Sequence, residues 1–431
     1  MATFPGDIST VFAGTRRVKP SGTASVNDSN IANAISAVSA GGGGRVYLDP
    51  GYYLTTTNLP ILPDGVSLIG PHGHNPRSTK QENVNDPTAF GCVLGIVSGA
   101  GTPNGTAFIQ PGNNSTISGL LLYWPNQGIP GVSTILQYPP GIGSEYDTSG
   151  GNGSASMHLG KSEYTIRNVG MINAYQGIRC NGSYQFLIED CWINTCVLGV
   201  AVDQSWDFSH ISRVYIEPAY WLAANPASSA AIDSYMQANC YGFRIGHVDS
   251  LHMSHCGVYD GFIGISLEQS TFATSPRLPW TRIHGCDIDI CDIGIDAQYT
   301  QPQGVSFVGG GISTPPSSTN NLAVRVGSSC TNLRVTGSSL ISQSGKEVQI
   351  NGGTSLFSGC DFGSYGAAPT GTSASIQAPA GSGTITISGC TFADTRPQIN
   401  WSSSGLCFWD KLGWRTLGVT DPGTKVHYPQ T

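Results

Sequence analysis

Tyr164-Thr-Ile-Arg-Asn-Val-Gly-Met-Ile-Asn-Ala-Tyr-Gln-Gly-Ile-Arg-Cys180 is followed, about 22 residues on, by Phe186-Leu-Ile-Glu-Asp-Cys-Trp-Ile-Asn-Thr-Cys-Val-Leu-Gly-Val-Ala-Val202. Each stretch alternates apolar residues, turns at a polar residue or glycine, and adds an apolar pair after Gly. The pattern returns over Leu251–Leu267 and Thr281–Ala297, with weaker copies starting near Phe307, Leu333, Leu356 and Ile385. An internal period of 20–50 residues is the mark of a solenoid or array. Strands of three to five residues are too short to be stable alone, and stacking successive turns pairs each strand in parallel with those above and below. Aligned this way, one inward column reads Val169, Cys191, Val214, Cys256, Cys286, Gly310, Ser338, Cys360, Cys390. The glycines Gly177, Gly199, Gly242, Gly264 and Gly294 fall at a second equivalent position, where sharp turns with positive φ are expected. The chain therefore reads as all-β, a right-handed parallel β-helix. The blade repeats of a propeller and the hairpins of a sandwich are not found.

Composition agrees with a folded, turn-rich protein. Of 431 residues, 11% are charged and 57 are glycine, yet 39% are hydrophobic and 9% aromatic, spread in short alternating runs. That apolar content separates it from a disordered chain. The net charge of −7 and the lack of a basic face disfavour nucleic acid. No apolar run reaches the roughly 18 residues of a membrane span. Met1-Ala2-Thr3-Phe4-Pro5 shows neither the basic nor the apolar region of a secretion signal. Twelve cysteines would allow disulfides, but their place in an inward ladder favours small buried free thiols, as expected of folding in a reducing cytosol. No CxxC pair points to zinc, and no cofactor is expected.

Asn30–Ala40 reads as a short amphipathic helix, capped by Asp28 or Ser29 and placed to close the open end of the solenoid. It precedes Gly43, Gly44, Val46, Leu48, Pro50, Gly51 and Tyr53, then Val66, Leu68 and Gly70. This order of motifs resembles the pectate-lyase-like β-helix superfamily, across about residues 20–400. The resemblance implies a polysaccharide hydrolase, lyase or epimerase, or a phage tailspike depolymerase, commonly homotrimeric and located in a virion tail or outside the cell. Polygalacturonase Asn-Thr-Asp and Gly-His-Gly signatures are absent, as is the family's upstream acidic stretch, replaced by Ser21–Asp28. The expected organisation is an N-terminal segment over 1–27, a β-helix over 28–400 with a long insertion at about 217–241, and a C-terminal cap or tail over 401–431.

Aligned coils also give the outward columns. One reads Gly170, Trp192, Tyr215, Gly257, Asp287; a neighbour reads Asn194, Glu217, Tyr259, Asp289. Carboxyls in pairs do the acid–base work of glycosidic cleavage, so Glu217, Asp287, Asp289, Asp190 and Glu189 are candidate catalytic residues. Aromatics stack on sugar rings through their apolar faces, and arginines or a histidine serve a β-elimination. Trp192, Tyr215, Tyr259, Trp221, Arg213, Arg244 and His255 are accordingly candidate substrate-binding residues. The partner expected is a polysaccharide, cleaved by hydrolysis or by a lyase reaction, or held without cleavage by a structural spike.

Overall fold

The computed structural model describes residues 14–71, 88, 91–144, 161–218, 229–270, 278–315, 321–342, 346–363, 374–378, 383–392, 399–401, 407–409 and 426–427. The chain divides into two compact units, Met1–Thr195 with Ala219–Ile232 and Cys196–Pro218 with Asp233–Thr431. Both are parallel β-helical.

In the first unit, strand Thr15–Val18 pairs in parallel with Gly44–Leu48, which pairs with Val66–Ile69. Leu68 and Ile69 then pair with Thr116–Tyr123, and that strand with Thr165–Asn181. Helix α1 (Ala24–Ala40) buries Ile31, Ile35 and Val38 and packs on the first strands. It is longer than the sequence pattern suggests and starts at Ala24, with no side-chain cap bond. Neither Asp28 nor Ser29 caps it: Asp28 accepts bonds from the Thr56 amide and hydroxyl instead. Buried Asn27 ties the helix start down, receiving the Ser21 N–H and donating to the Ser21 and Leu54 carbonyls. Residues 14–27 thus take part in the fold through strand Thr15–Val18 and the start of this helix.

In the second unit each coil has three strand faces. Face A stacks Ser209–Ile216, Val248–Ser254, Pro279–His284, Val305–Val308, Leu333–Thr336, Gly353–Ser358 and Gly383–Ser388. Face B stacks the end of Ser209–Ile216 on Gly257–Tyr259, Asp287–Asp289, Gly311–Ser313, Ser339–Ile341 and Asp361–Gly363. Face C stacks Tyr241–Ile245, Ile263–Leu267, Ile293–Thr300, Leu322–Cys330 and Val348–Ile350. Alternation puts one side of each strand inward, so Ile211, Met253, Ile283, Phe307 and Val335 form one buried file.

The thiol column lies where the repeats put it: Cys191, Cys256, Cys286, Cys360 and Cys390 are buried and free. The bend before that column is the left-handed one. Asn168, Asp190, Arg213, His255, Gly285, Gly309, Gly337, Gly359 and Gly389 each precede an inward residue and have φ between 51 and 66°. The expectation of positive φ at Gly177, Gly199, Gly242, Gly264 and Gly294 is therefore corrected, for none of them has it. A Cβ on Gly264 would fall 2.3 Å from Ile288 Cγ2 and 2.7 Å from the Gly294 carbonyl oxygen. Gly199, Gly242, Gly264 and Gly294 are demanded by close approach of the next coil, and the conformational freedom of glycine is used one bend earlier.

Candidate functional site

Register brings part of the expected site together on face B. Tyr215 pairs with Gly257 and that with Asp287; Tyr259 pairs with Asp289. Glu217 follows Ile216, whose partner is Val258, so it stands level with Tyr259. Coils about 4.8 Å apart leave Glu217 and Asp289 about 10 Å apart along the column, with Tyr259 between them. Glu217 is only 8% exposed, while Tyr259 is 38% exposed. Asp287 accepts the Gly311 N–H at 3.1 Å.

The residue that completes the group is one that strand alternation does not reveal. Asp260 forms the bend from face B to face C, with φ 59°. It is 5% exposed, and its backbone N–H donates to the Asp289 carbonyl at 3.1 Å. Its carboxyl accepts a 2.7 Å bond from Gln237 Nε2. Gln237 belongs to helix α2 (Ser229–Asn239), the last part of the long insertion, which thereby borders the group. Burial pushes the Asp260 carboxyl up to about 6; the negative charges of Asp233 and Asp289 push the same way, against the Gln237 bond. The Tyr259 phenol is raised too, by burial and then by Asp260, Asp289, Asp233 and Glu217 in that order. One half-exposed phenol thus stands in the field of four acidic side chains. A carboxylic acid that keeps its proton near pH 6 can donate it to a leaving group, and perturbed acids in such a setting are candidate catalytic groups. Among the described residues no group of three or more His, Cys, Asp or Glu side chains is arranged to hold a metal ion.

Glu189, Asp190 and Trp192 lie on strand Leu187–Asp203, in the part of it that belongs to the first unit. Asp190, Arg213 and His255 all occupy the left-handed bend before an inward residue, and the Arg213 guanidinium donates to Ser212 Oγ at 3.1 Å. Arg244 does not join the site. It lies on face C, where its guanidinium pairs with Glu268 at 2.8 Å and sits 5.8 Å from the Tyr241 ring centroid. Trp221 lies outside the described residues.

No protein-family model matches this chain, and no curated protein does. Solved structures do. The mannuronan C-5 epimerase AlgE6 A-module of Azotobacter vinelandii aligns with a TM-score of 0.58 at 16% identity, over 88% of this chain and 94% of that one. The AlgE4 A-module of the same organism gives 0.56 at 14% identity over the same shares. DFA-IIIase of Arthrobacter chlorophenolicus A6, solved without its lid in complex with GF2, gives 0.57 at 12% identity over 96% and 99%. Parallel pairing in every coil, the inward file and these alignments lead to one conclusion: the chain has the pectate-lyase-like right-handed parallel β-helix fold.

Proposed function

We propose that this protein is a glycan-cleaving enzyme of the glycoside-hydrolase type, working at the face B acidic group. The observation that carries the reading is Asp260, a buried carboxyl raised to about 6 beside Tyr259 and within the field of Asp289 and Asp233. Asp260 is the proton donor to the glycosidic oxygen. Glu217 or Asp289, on either side of Tyr259, is the carboxyl that activates water or attacks the sugar from the opposite face, as two-carboxyl glycosidases require. Tyr259 offers a half-exposed ring against which a sugar can lie. Gln237 fixes the Asp260 carboxyl from helix α2. The structural neighbours include enzymes named for mannuronan epimerisation and DFA-III, which supports a sugar substrate. The reading extends to a homotrimeric depolymerase of the phage tailspike type, in a virion tail or outside the cell, supported by the resemblance of the N-terminal motifs.

The test is incubation with a panel of acidic and neutral bacterial and plant polysaccharides, following reducing ends and absorbance near 235 nm. Reducing ends without new absorbance are expected, with Asp260→Asn lowering the rate by about 10²–10⁴-fold. A rate unchanged in that variant, or new absorbance in step with the reducing ends, would remove the hydrolase assignment.

A further inference from the structure

Face A carries a file of basic residues with no part in the acidic site. His210, His252, Arg282, Ser306 and Arg334 succeed one another in register on consecutive coils, all pointing outward. The His210 and His252 rings are 5.1 Å apart, and Arg282 Nη1 is 3.4 Å from His252 Nε2. Like-signed groups directly opposite across a parallel ladder are unfavourable, so the fold alone gives no reason to collect them. Burial, with His210 and Arg282 nearby, lowers the His252 pKa, which leaves the arginines as the permanent cations. Face C shows what the chain does with arginines that serve the fold. There Arg244 meets Glu268, and Arg325 meets Asp296 at 2.6 Å. Among the described residues no carboxylate lies within ion-pairing distance of Arg282 or Arg334.

Between these two arginines is a cavity of about 280 Å³, lined by Trp280, Arg282, Gln303, Gly304, Ser306 and Arg334. The Arg282 guanidinium carbon lies 5.7 Å from the Trp280 ring centroid. Arg334 Nε donates to Asn332 Oδ1 at 3.1 Å, which orients that guanidinium. Two coil steps of about 4.8 Å each separate the arginines, with Ser306 at the midpoint, so one oxyanion over Ser306 is within reach of both long side chains. Guanidinium groups match carboxylates and sulfates through paired N–H donors. An indole ring offers a flat apolar face suited to the C–H face of a pyranose. The volume is at the small end of ligand pockets, enough for one residue of a chain and not a whole oligosaccharide. With a net charge of −7 and only two permanent cations in the file, a nucleic-acid backbone is poorly served.

We propose that this cavity is a subsite for an anionic sugar residue, its carboxylate or sulfate held between Arg282 and Arg334 over Ser306 and its ring face against Trp280. The choice of a sugar as the anion's carrier rests on the glycan reading above; the site itself is separate from the face B acids. The experiment is calorimetric titration of the full chain, in the Asp260→Asn background so that no cleavage intervenes, with trigalacturonate, galactose 6-sulfate, maltotriose and an eight-residue thymidine oligonucleotide. At least one anionic sugar is expected to bind about 10-fold or more tightly than maltotriose, and the two acids show which group is preferred. Arg282→Ala and Arg334→Ala, both at exposed positions, should each erase that preference while melting temperatures stay unchanged. Trp280→Ala should weaken the anionic sugar without restoring the neutral one. Equal affinity for neutral and anionic sugars, or a preference that survives loss of both arginines, overturns the proposal, and so does tighter binding of the oligonucleotide. Because binding is read without turnover, a failure of the hydrolase reading leaves this result standing, and the converse holds.

Discussion

The Asp260 carboxyl is held where an ionised acid is poorly tolerated, and that has a consequence for stability with a definite sign. Its value rises from 3.8 in the unfolded chain to about 6 in the fold. The folded state therefore binds its proton more tightly, and the associated stability is fully present below pH 4. It is lost as pH rises through 6, to a limit of about 3 kcal/mol. Asp260→Asn keeps an oxygen for the Gln237 bond and removes the charge. The variant should gain about 1–3 kcal/mol over the parent at pH 8 and nothing at pH 4, as read from thermal melts across pH. Parallel melting profiles for the two chains would mean that burial is not what raises this acid. In the parent, kcat/KM should fall with rising pH around 6, where the proton donor is lost. Tyr259, Glu217 and Asp289 are legible in the sequence because alternation and coil offset give their common column. Asp260 is not legible there, because a left-handed bend takes it out of the alternation. Its partner Gln237 comes from an inserted helix that obeys no repeat. The place of Arg244 on face C is not legible either, because outward alternation says nothing of which of three faces a strand occupies.

At the scale of elements, the coil is shaped by two unlike small-residue positions. The bend before the thiol column needs left-handed backbone, supplied by Asn168, Asp190, Arg213 and His255 and from Gly285 onward by glycine alone, the residue that reaches it with least strain. The column through Gly242, Gly264 and Gly294 needs only space. Sequence spacing exposes both as recurring positions but does not tell a φ requirement from a steric one, since glycine answers either. That the coil itself was readable rests on the apolar files such as Ile263, Ile293 and Leu322, which pair rung on rung. The start of α1 was less readable because its first turn is polar and is secured by Asn27 and not by a cap. If close approach is the requirement, Gly264→Ala overpacks the coil against Ile288 and should destabilise by about 1–3 kcal/mol. Removing Ile288 Cγ2 in the Gly264→Ala, Ile288→Ala double variant should make the pair less destabilised than the sum of the singles. Additive effects in chemical denaturation would point back to the backbone instead.

On the scale of the molecule, eleven cysteines among the described residues are buried and free, and their chemistry reports on how the solenoid opens. Burial pushes the Cys191 thiol up to about 12 and Cys330 up to about 11, so at these two almost no thiolate is present at pH 8, whereas the Cys286 thiol, lowered by its bond with Cys256, is protected by its burial alone. Stacking brings one thiol to the backbone of the cysteine on the adjacent coil, as where the Cys256 N–H donates to Cys286 Sγ at 3.4 Å. In a stack where each coil touches mainly its neighbours, opening is local, and a thiol becomes reactive only when its own coil or an adjacent one parts. A thiol reagent at pH 8 should therefore leave these eleven unmodified in the native chain for hours, whereas all twelve cysteines of the sequence react in denaturant. Gly264→Ala strains a single coil, so peptide mapping of the labelled variant should find Cys256, Cys286 and Cys291 modified well before Cys390. Uniform labelling of every cysteine in that variant would mean that the stack opens as one cooperative body, and that strain in one coil is felt equally by all the others.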